Sequence, residues 1–215
     1  MNATERRKST LKTSRVMEVF WEQLKKYPWA AFVVVVGAVA ASIFGVIAPI
    51  YYKRFFDLLQ SPESTVGLSS YHILLYTLGI ALVLKIAEWI SWRISLIPNI
   101  TLDANIMANL TNSAFSKVLR HSYNFFSDTF VGSLVRKVGR LDSSYETIWD
   151  NAIHVLVPIV VSVTGILIVV FHRSTTIGAV FALWLIVFLI ANYFIFRWKS
   201  KYDAQKTAAD SLVTG

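Results

Sequence analysis

The stretch HSYNFFSDTFVGSLVRKV, residues 121–138, decides the fold, because it is polar and basic but lies between two strongly apolar parts of the chain. Of the 215 residues, 55% are hydrophobic and only 16% are charged. The mean hydropathy is +0.53. This composition excludes an ordinary soluble domain. The stretch therefore predicts an excursion into water between membrane-spanning helices.

Four segments outside this stretch are long and apolar enough to span a membrane. A helix needs about 20 mostly apolar residues to cross a hydrocarbon core of roughly 30 Å. The predicted spans are residues 29–50, 71–97, 152–171 and 176–196. The first is preceded by a long polar segment and is too long for a signal peptide, so we interpret it as a retained span. The predicted fold class is an all-α membrane protein with four long transmembrane helices and a cytoplasmic helical hairpin.

The distribution of lysine and arginine predicts the orientation, since positive charge near span ends tends to stay in the cytosol. Sixteen of these residues lie before the first span, between the second and third spans, or after the fourth, against three in the two remaining loops. Both termini are therefore expected in the cytosol of a multi-pass cell-membrane protein. The net charge of +8 follows from this topology and does not indicate nucleic-acid binding.

Residues 1–28 form a cytosolic N-terminal region with its own helix at residues 14–26. Val16, Phe20 and Leu24 recur at a spacing of four, and Glu22 is placed to pair with Lys25 or Lys26. This pattern predicts an elbow helix that lies in the membrane interface before Pro28 turns the chain into the first span. A solvated basic tail is the alternative.

The cytoplasmic excursion covers residues 98–151 and divides into two amphipathic arms. Leu102, Ile106 and Leu110 mark one arm, and Leu134, Val138, Leu141, Tyr145 and Ile148 mark the other, all at helical spacing. Each arm, a little over 20 residues long, would project roughly 30 to 35 Å. The matched lengths predict an antiparallel hairpin that continues spans two and three.

The tip of the hairpin is predicted to dock on a partner protein. A purely structural turn favours glycine, asparagine and serine, whereas this tip presents two adjacent phenylalanines flanked by hydrogen-bonding groups. Internal packing of the aromatic pair is the alternative. The candidate docking residues are His121, Ser122, Tyr123, Asn124, Phe125, Phe126, Ser127 and Asp128.

With NFFSDTFVGSLVRKV following a second span and a long cytoplasmic arm, the chain resembles the transmembrane domain of ATP-binding-cassette (ABC) exporters of the six-helix, domain-swapped type. In that family a coupling helix at the tip of the first intracellular loop docks on a nucleotide-binding domain. An aromatic pair and a glycine follow it, and Phe125, Phe126 and Gly132 match that pattern. Lys137 and Leu141 depart from the arginine and aspartate usual there.

The resemblance implies partners and cofactors that this sequence does not contain. It implies six spans, a second intracellular loop, a second transmembrane half as homo- or heterodimer, and a nucleotide-binding domain that holds ATP and Mg. Residues 29–215 would be a partial transmembrane domain, with residues 197–215 starting the second intracellular loop, so we expect a fragment or a truncated gene product. The sequence has no G-x-x-x-x-G-K-[ST] phosphate-binding loop, and no ATPase activity or bound cofactor is expected of it.

No catalytic or metal-binding pattern stands out from the sequence. There is no cysteine, and the four histidines are scattered without metal-ligand spacing. We predict neither a catalytic residue nor a metal site.

Charged residues at membrane depth mark the second span as the candidate substrate path. Such charges cost several kcal/mol and usually face a helix bundle or an aqueous cavity. Lys85 and Glu88 can pair at a spacing of three, and Trp89 can stack with Arg93. The predicted path residues are Lys85, Glu88, Trp89 and Trp92. An ion pair that only fixes helix packing is the alternative.

The function predicted from the sequence is the transmembrane part of an ATP-driven ABC exporter, which forms the substrate path and couples it to a nucleotide-binding domain. A non-transporting membrane scaffold whose hairpin docks a partner protein is the alternative from another class. A proton-coupled carrier using Glu88 is a third reading, although the chain lacks the paired half-helices that such carriers often show.

Overall fold

The computed structural model describes the backbone of residues 16–60, 68–120 and 131–213. These ranges are almost entirely helical, and no strand occurs within them. Four of the described helices are long and apolar enough to cross a membrane. The predicted all-α membrane fold with four long apolar helices is confirmed.

The helices follow one another with short connections. In chain order they are α1 (16–24), α2 (Pro28–Gln60), α3 (Leu68–Leu119), α4 (Val131–Asn151), a π-helical segment (Ala152–Leu156), α5 (Val157–Arg173) and α6 (Thr175–Val213). The longest, α3, has 52 residues. At 1.5 Å per residue it is about 78 Å long, more than twice the thickness of a hydrocarbon core. A large part of α3 must therefore lie outside the bilayer.

The chain divides into two compact units, Met1–Ser162 and Val163–Gly215. In the first unit α2 packs along α3, and α3 also packs against α4. The second unit holds the end of α5 and all of α6. The candidate residues that the structure describes all lie in the first unit.

A close crossing joins α2 to α3. A Cβ atom at Gly37 would lie 2.9 Å from Ser95 Cβ and 3.0 Å from the backbone oxygen of Ser91. The buried hydroxyl of Ser95 donates a hydrogen bond to the backbone oxygen of Val34 at 2.8 Å. Small residues that let two backbones approach are the usual basis of helix packing in membranes, where lipid is as apolar as the side chains.

A hydrophobic cluster fastens α1 to both arms of the hairpin. Its buried members are Phe20 of α1, Leu102, Ile106 and Leu110 of α3, and Tyr145 of α4. Phe20 meets the Tyr145 ring edge-on, with the ring centroids 5.4 Å apart. The three-residue stripe of α3 is buried as its spacing predicts. On α4 the prediction fails at Ile148, which is 43% exposed because it lies away from α1 and α3.

The charges of α1 are arranged differently from the sequence prediction. The Lys25 ammonium lies 5.9 Å from the centroid of the Trp21 ring. Lys26 donates to the side-chain oxygen of Gln23 at 2.8 Å. The pairing of Glu22 with Lys25 or Lys26 is therefore wrong: each lysine is held by a neighbour on α1 other than Glu22.

The π-helical segment ends two residues before Pro158. Proline has no N–H and its ring crowds the carbonyl of the fourth residue before it, which commonly kinks a helix. The N–H of Val157 instead donates to the backbone oxygen of Ala152, five residues back. The helix is thus interrupted before Pro158 by a π turn, which commonly occurs at functional sites.

In the second unit α5 and α6 are joined directly at Ser174. The backbone N–H of Gly178 donates to the Ser174 oxygen at 2.9 Å. A Cβ atom at Gly178 would lie 3.0 Å from Phe171 Cα, so the two helices can approach here only without a side chain. The predicted loop between spans three and four is thus reduced to one residue outside the helices.

We predict that Gly37→Ala destabilises the first unit, because the added methyl group meets the backbone of α3. Overpacking of this kind typically costs about 1–3 kcal/mol. Gly79→Ala is the matched control, since a Cβ atom there meets nothing within 4 Å. That control should be neutral or stabilising by about 0.5–1 kcal/mol through helix propensity. Thermal unfolding in detergent measures both, and equal shifts for the two variants would contradict the close crossing.

Candidate functional site

The charged pair of the second span forms as predicted. Lys85 Nζ lies 2.7 Å from Glu88 Oε2, one turn apart on α3. The Glu88 side chain is 24% exposed and that of Lys85 is 44% exposed. The two charges therefore neutralise each other, while the ammonium remains the more accessible of the two groups.

Gly45 of α2 makes the space that Glu88 occupies. A Cβ atom at Gly45 would lie 3.4 Å from Glu88 Oε1 and 3.6 Å from the carboxyl carbon. The carboxylate thus lies against the backbone of α2, in the seam between the two helices. This contact fixes the glutamate more firmly than its lysine partner.

The two candidate tryptophans lie in different surroundings. Trp89 is 60% exposed, and the Arg93 guanidinium stacks on it at 5.4 Å from the ring centroid, as predicted. Trp92 instead packs against the buried cluster of Val34, Ala38 and Ile153. Trp89 therefore faces outward from the first unit, whereas Trp92 is part of its packing.

The π-helical segment carries His154, whose ring lies against Trp92. Its ring stacks on Trp92 with centroids 5.7 Å apart and an interplanar angle of 25°. Its Nε2 atom lies 4.0 Å from Asp150 Oδ1. The four predicted path residues therefore do not form one surface: Lys85 and Glu88 pair, Trp89 is exposed, and Trp92 is held by α2 and the π segment.

The predicted docking residues His121–Asp128 lie outside the described residues, so their role stays a prediction. The structure describes the two arms that carry them. The first arm ends with α3 at Leu119, and the second begins with α4 at Val131. The two arms are in contact with each other.

A polar network that sequence reasoning missed joins the two arms. The Trp149 indole N–H of α4 donates to Asn99 Oδ1 of α3 at 2.6 Å. Asn99 Nδ2 in turn donates to Asp103 Oδ2 at 2.9 Å. Asn99 is only 4% exposed. A second link lies further along the arms, where the Thr111 hydroxyl donates to the Asp142 carboxylate.

Within this network, the pKa of Asp103 is displaced from its ordinary value. It lies six residues beyond the predicted end of the second span, on the part of α3 that contacts α4. Burial raises the pKa of Asp103 to about 6, and the nearby charges of Asp150 and Glu146 add to the effect. The hydrogen bond from Asn99 acts in the opposite direction.

A signal for this network was present in the sequence. Asn99 and Asp103 are four residues apart and follow directly on the apolar second span, so they share one helix face with Ile106 and Leu110. Polar residues in a stripe that is otherwise buried indicate a hydrogen-bonded partner on the facing helix. Which residue of α4 supplies that partner could not be deduced from spacing alone.

The described residues contain no cluster of three or more histidine or acidic side chains placed to hold a metal ion. The described residues instead contain an ion pair within α3, Lys85–Glu88, whose carboxylate lies against α2. They also contain a hydrogen-bonded polar network between the two arms.

Comparison with known proteins identifies the class. The fold and these features define a polytopic helical membrane protein with long extensions beyond the bilayer. Residues 31–214 match the family described as the ABC transporter transmembrane region. No curated protein and no solved structure matches the chain. The family match covers most of the chain, which therefore belongs to the ABC transporter transmembrane region family.

We predict that Trp149→Phe destabilises the contact between the arms by about 1–3 kcal/mol, because the oxygen of the buried Asn99 amide loses its donor. Trp21→Phe on α1 is the matched control, since Trp21 is 58% exposed. Its effect should stay within about 0.5 kcal/mol. Thermal unfolding of the two variants in the same detergent provides the comparison. A Trp149→Phe variant as stable as the control would show that the hydrogen bond contributes little.

Proposed function

We propose that this chain is the membrane part of an ATP-driven exporter, in which it forms part of the substrate path and transmits movement from a nucleotide-binding domain. The family match to an ABC transporter transmembrane region is the observation that carries the proposal. ATP and Mg would bind in that nucleotide-binding domain. A second transmembrane half, identical or different, would complete the path.

The two long arms support the coupling role. Because α3 is a single helix of 52 residues, one continuous element would link the membrane span to the arm and carry a displacement between them. Phe20 of α1 and Tyr145 of α4 pack against the same buried stripe of α3. The arms and the elbow helix would therefore move together when the tip is displaced.

The proposed orientation places both termini and the hairpin in the cytosol. The excess of lysine and arginine on that side supports it, with sixteen against three residues. The position of α1 is also consistent, since its exposed Trp21 and Lys25 suit the headgroup region of a membrane.

The proposed substrate path includes the Lys85–Glu88 pair and the exposed Trp89. Gly45, which faces Glu88, lies about 25 Å along α2 from Pro28. The accessible ammonium and the exposed indole would contact cargo, while the carboxylate is held against α2.

We predict that Phe125→Ala combined with Phe126→Ala uncouples transport from ATP hydrolysis in the complete transporter, because the tip loses its anchor on the nucleotide-binding domain. Expression and membrane insertion should persist. Phe115→Ala is the matched control, since Phe115 is 38% exposed on the α3 arm and lies outside the tip. Transport and ATPase rates measured in the same proteoliposomes give the coupling ratio. An unchanged ratio in the double variant would refute the docking role.

We predict that exchanging the charges, Lys85→Glu with Glu88→Lys, preserves assembly but changes the substrate profile. The pair remains neutral, but the sign of the more accessible group is reversed. The matched control exchanges the exposed Lys53–Asp57 pair of α2, whose side chains are 59% and 60% exposed. Substrate-stimulated ATPase activity with anionic and cationic substrates is the measurement. A profile equal to the wild type would assign the pair to packing alone.

A further inference from the structure

One carboxylate oxygen of Asp103 accepts a hydrogen bond and the other has no hydrogen-bond partner among the described residues. Oδ2 accepts the hydrogen bond from Asn99, whose own oxygen is held by Trp149. Oδ1 is buried and meets no donor among the described residues. A buried acceptor left in this way costs free energy, and the cost is larger when the group is charged.

The Tyr145 hydroxyl is a second buried polar group in the same condition. Tyr145 is 3% exposed, and its hydroxyl has no hydrogen-bond partner in the described part of the chain. Burial, together with the charges of Asp103 and Asp150, raises the pKa of Tyr145. Two buried polar atoms on the facing arms, Asp103 Oδ1 on α3 and the Tyr145 hydroxyl on α4, therefore have no hydrogen-bond partner among the described residues.

The charges around Asp103 are predominantly negative. From α4 it faces Asp150 and Glu146, both of which disfavour its ionised form. The nearest basic group in the π segment, His154, is 4.0 Å from Asp150 and is not paired with Asp103. Phe20 and Leu24 of α1, and Tyr27 just before α2, belong to the same hydrophobic cluster as Tyr145. No described lysine or arginine forms an ion pair with Asp103.

A metal ion does not fit the seam around Asp103. Hard cations such as Ca²⁺ take about six to eight oxygen ligands. Within the described ranges no group of three acidic or histidine side chains is placed to hold one. A proton needs only the one free oxygen and removes the charge that burial disfavours.

We propose that the seam between the hairpin arms at Asp103 is a proton-binding site, with the proton carried on the buried Oδ1 of Asp103. Oδ2 continues to accept from Asn99, and the new O–H on Oδ1 can donate to a water molecule. Binding converts one carboxylate to a carboxylic acid with no other change in the chain. This site depends on neither transport nor ATP, so it extends beyond the proposed function.

The site makes the contact between the arms sensitive to pH. The pKa of Asp103 is about 6 in the folded protein, above its ordinary value of 3.8, so the fold favours the protonated form. Stability contributed by the proton is therefore fully present below the ordinary pKa and is lost as the pH rises through about 6. The arms should hold together more firmly on the acidic side of neutrality.

Infrared spectroscopy of the full chain in lipid vesicles tests the site directly, because a protonated carboxyl group has a C=O stretching band of its own. As the pH is raised, this band should disappear with a midpoint near the folded pKa of about 6. The band should be absent from the Asp103→Asn variant. Asp57→Asn is the matched control and should leave the band unchanged, since Asp57 is exposed and paired with Lys53.

Two further variants decide the matter even if Asp103→Asn fails to fold. Asp150→Asn should move the midpoint to lower pH, and Glu146→Gln should move it in the same direction by less, because Asp150 has the larger influence on Asp103. A midpoint near the ordinary carboxyl value of about 4 would overturn the site. So would a midpoint that neither variant moves, or a band that persists in a folded Asp103→Asn protein.

Discussion

The close approach of α2 and α3 at Gly37 is the contact on which the arrangement of the first unit depends. A side chain there would meet the backbone of α3 at 3.0 Å, and the Ser95 hydroxyl donates across the same point to α2. Since α1 precedes α2 by only a short turn, the position of α2 on α3 also determines where Phe20 reaches the hairpin. One small residue thus sets the distance between two spans and the placement of the elbow helix.

The seam between the hairpin arms combines two kinds of interaction with different requirements. The stripe of Leu102, Ile106 and Leu110 excludes water without demanding precise angles. The hydrogen bond from Trp149 to Asn99 requires one register of α3 against α4, because a shift of one residue would separate the indole N–H from its acceptor, while the bond from Asn99 to Asp103 lies within α3. The apolar stripe therefore supplies most of the attraction, and the polar chain selects a single alignment.

The sequence allowed the fold class to be predicted because span length and apolar content are local properties. The Lys85–Glu88 pair and the Trp89–Arg93 stack were equally accessible, since each depends only on spacing within one helix. The contact of Glu88 with Gly45, the stacking of Trp92 on His154 and the bond from Trp149 to Asn99 could not be deduced. Each joins residues more than 40 positions apart, and helical periodicity says which face a residue occupies but not what lies opposite it.

The π-helical segment before Pro158 has a consequence for how the downstream helix is phased. One extra residue within a turn advances every following side chain by about 100° around the axis relative to an uninterrupted α-helix. The first residues of α5, up to Ser162, are therefore out of step with the faces of α4, although the chain passes between them without a loop. A deletion of one residue within Ala152–Leu156 would turn this start of α5 by that angle and present Val157 and its neighbours to different surroundings. The π-helical segment thus sets the rotation of the residues that follow it about the helix axis, and the insertion or deletion of one residue would change that rotation.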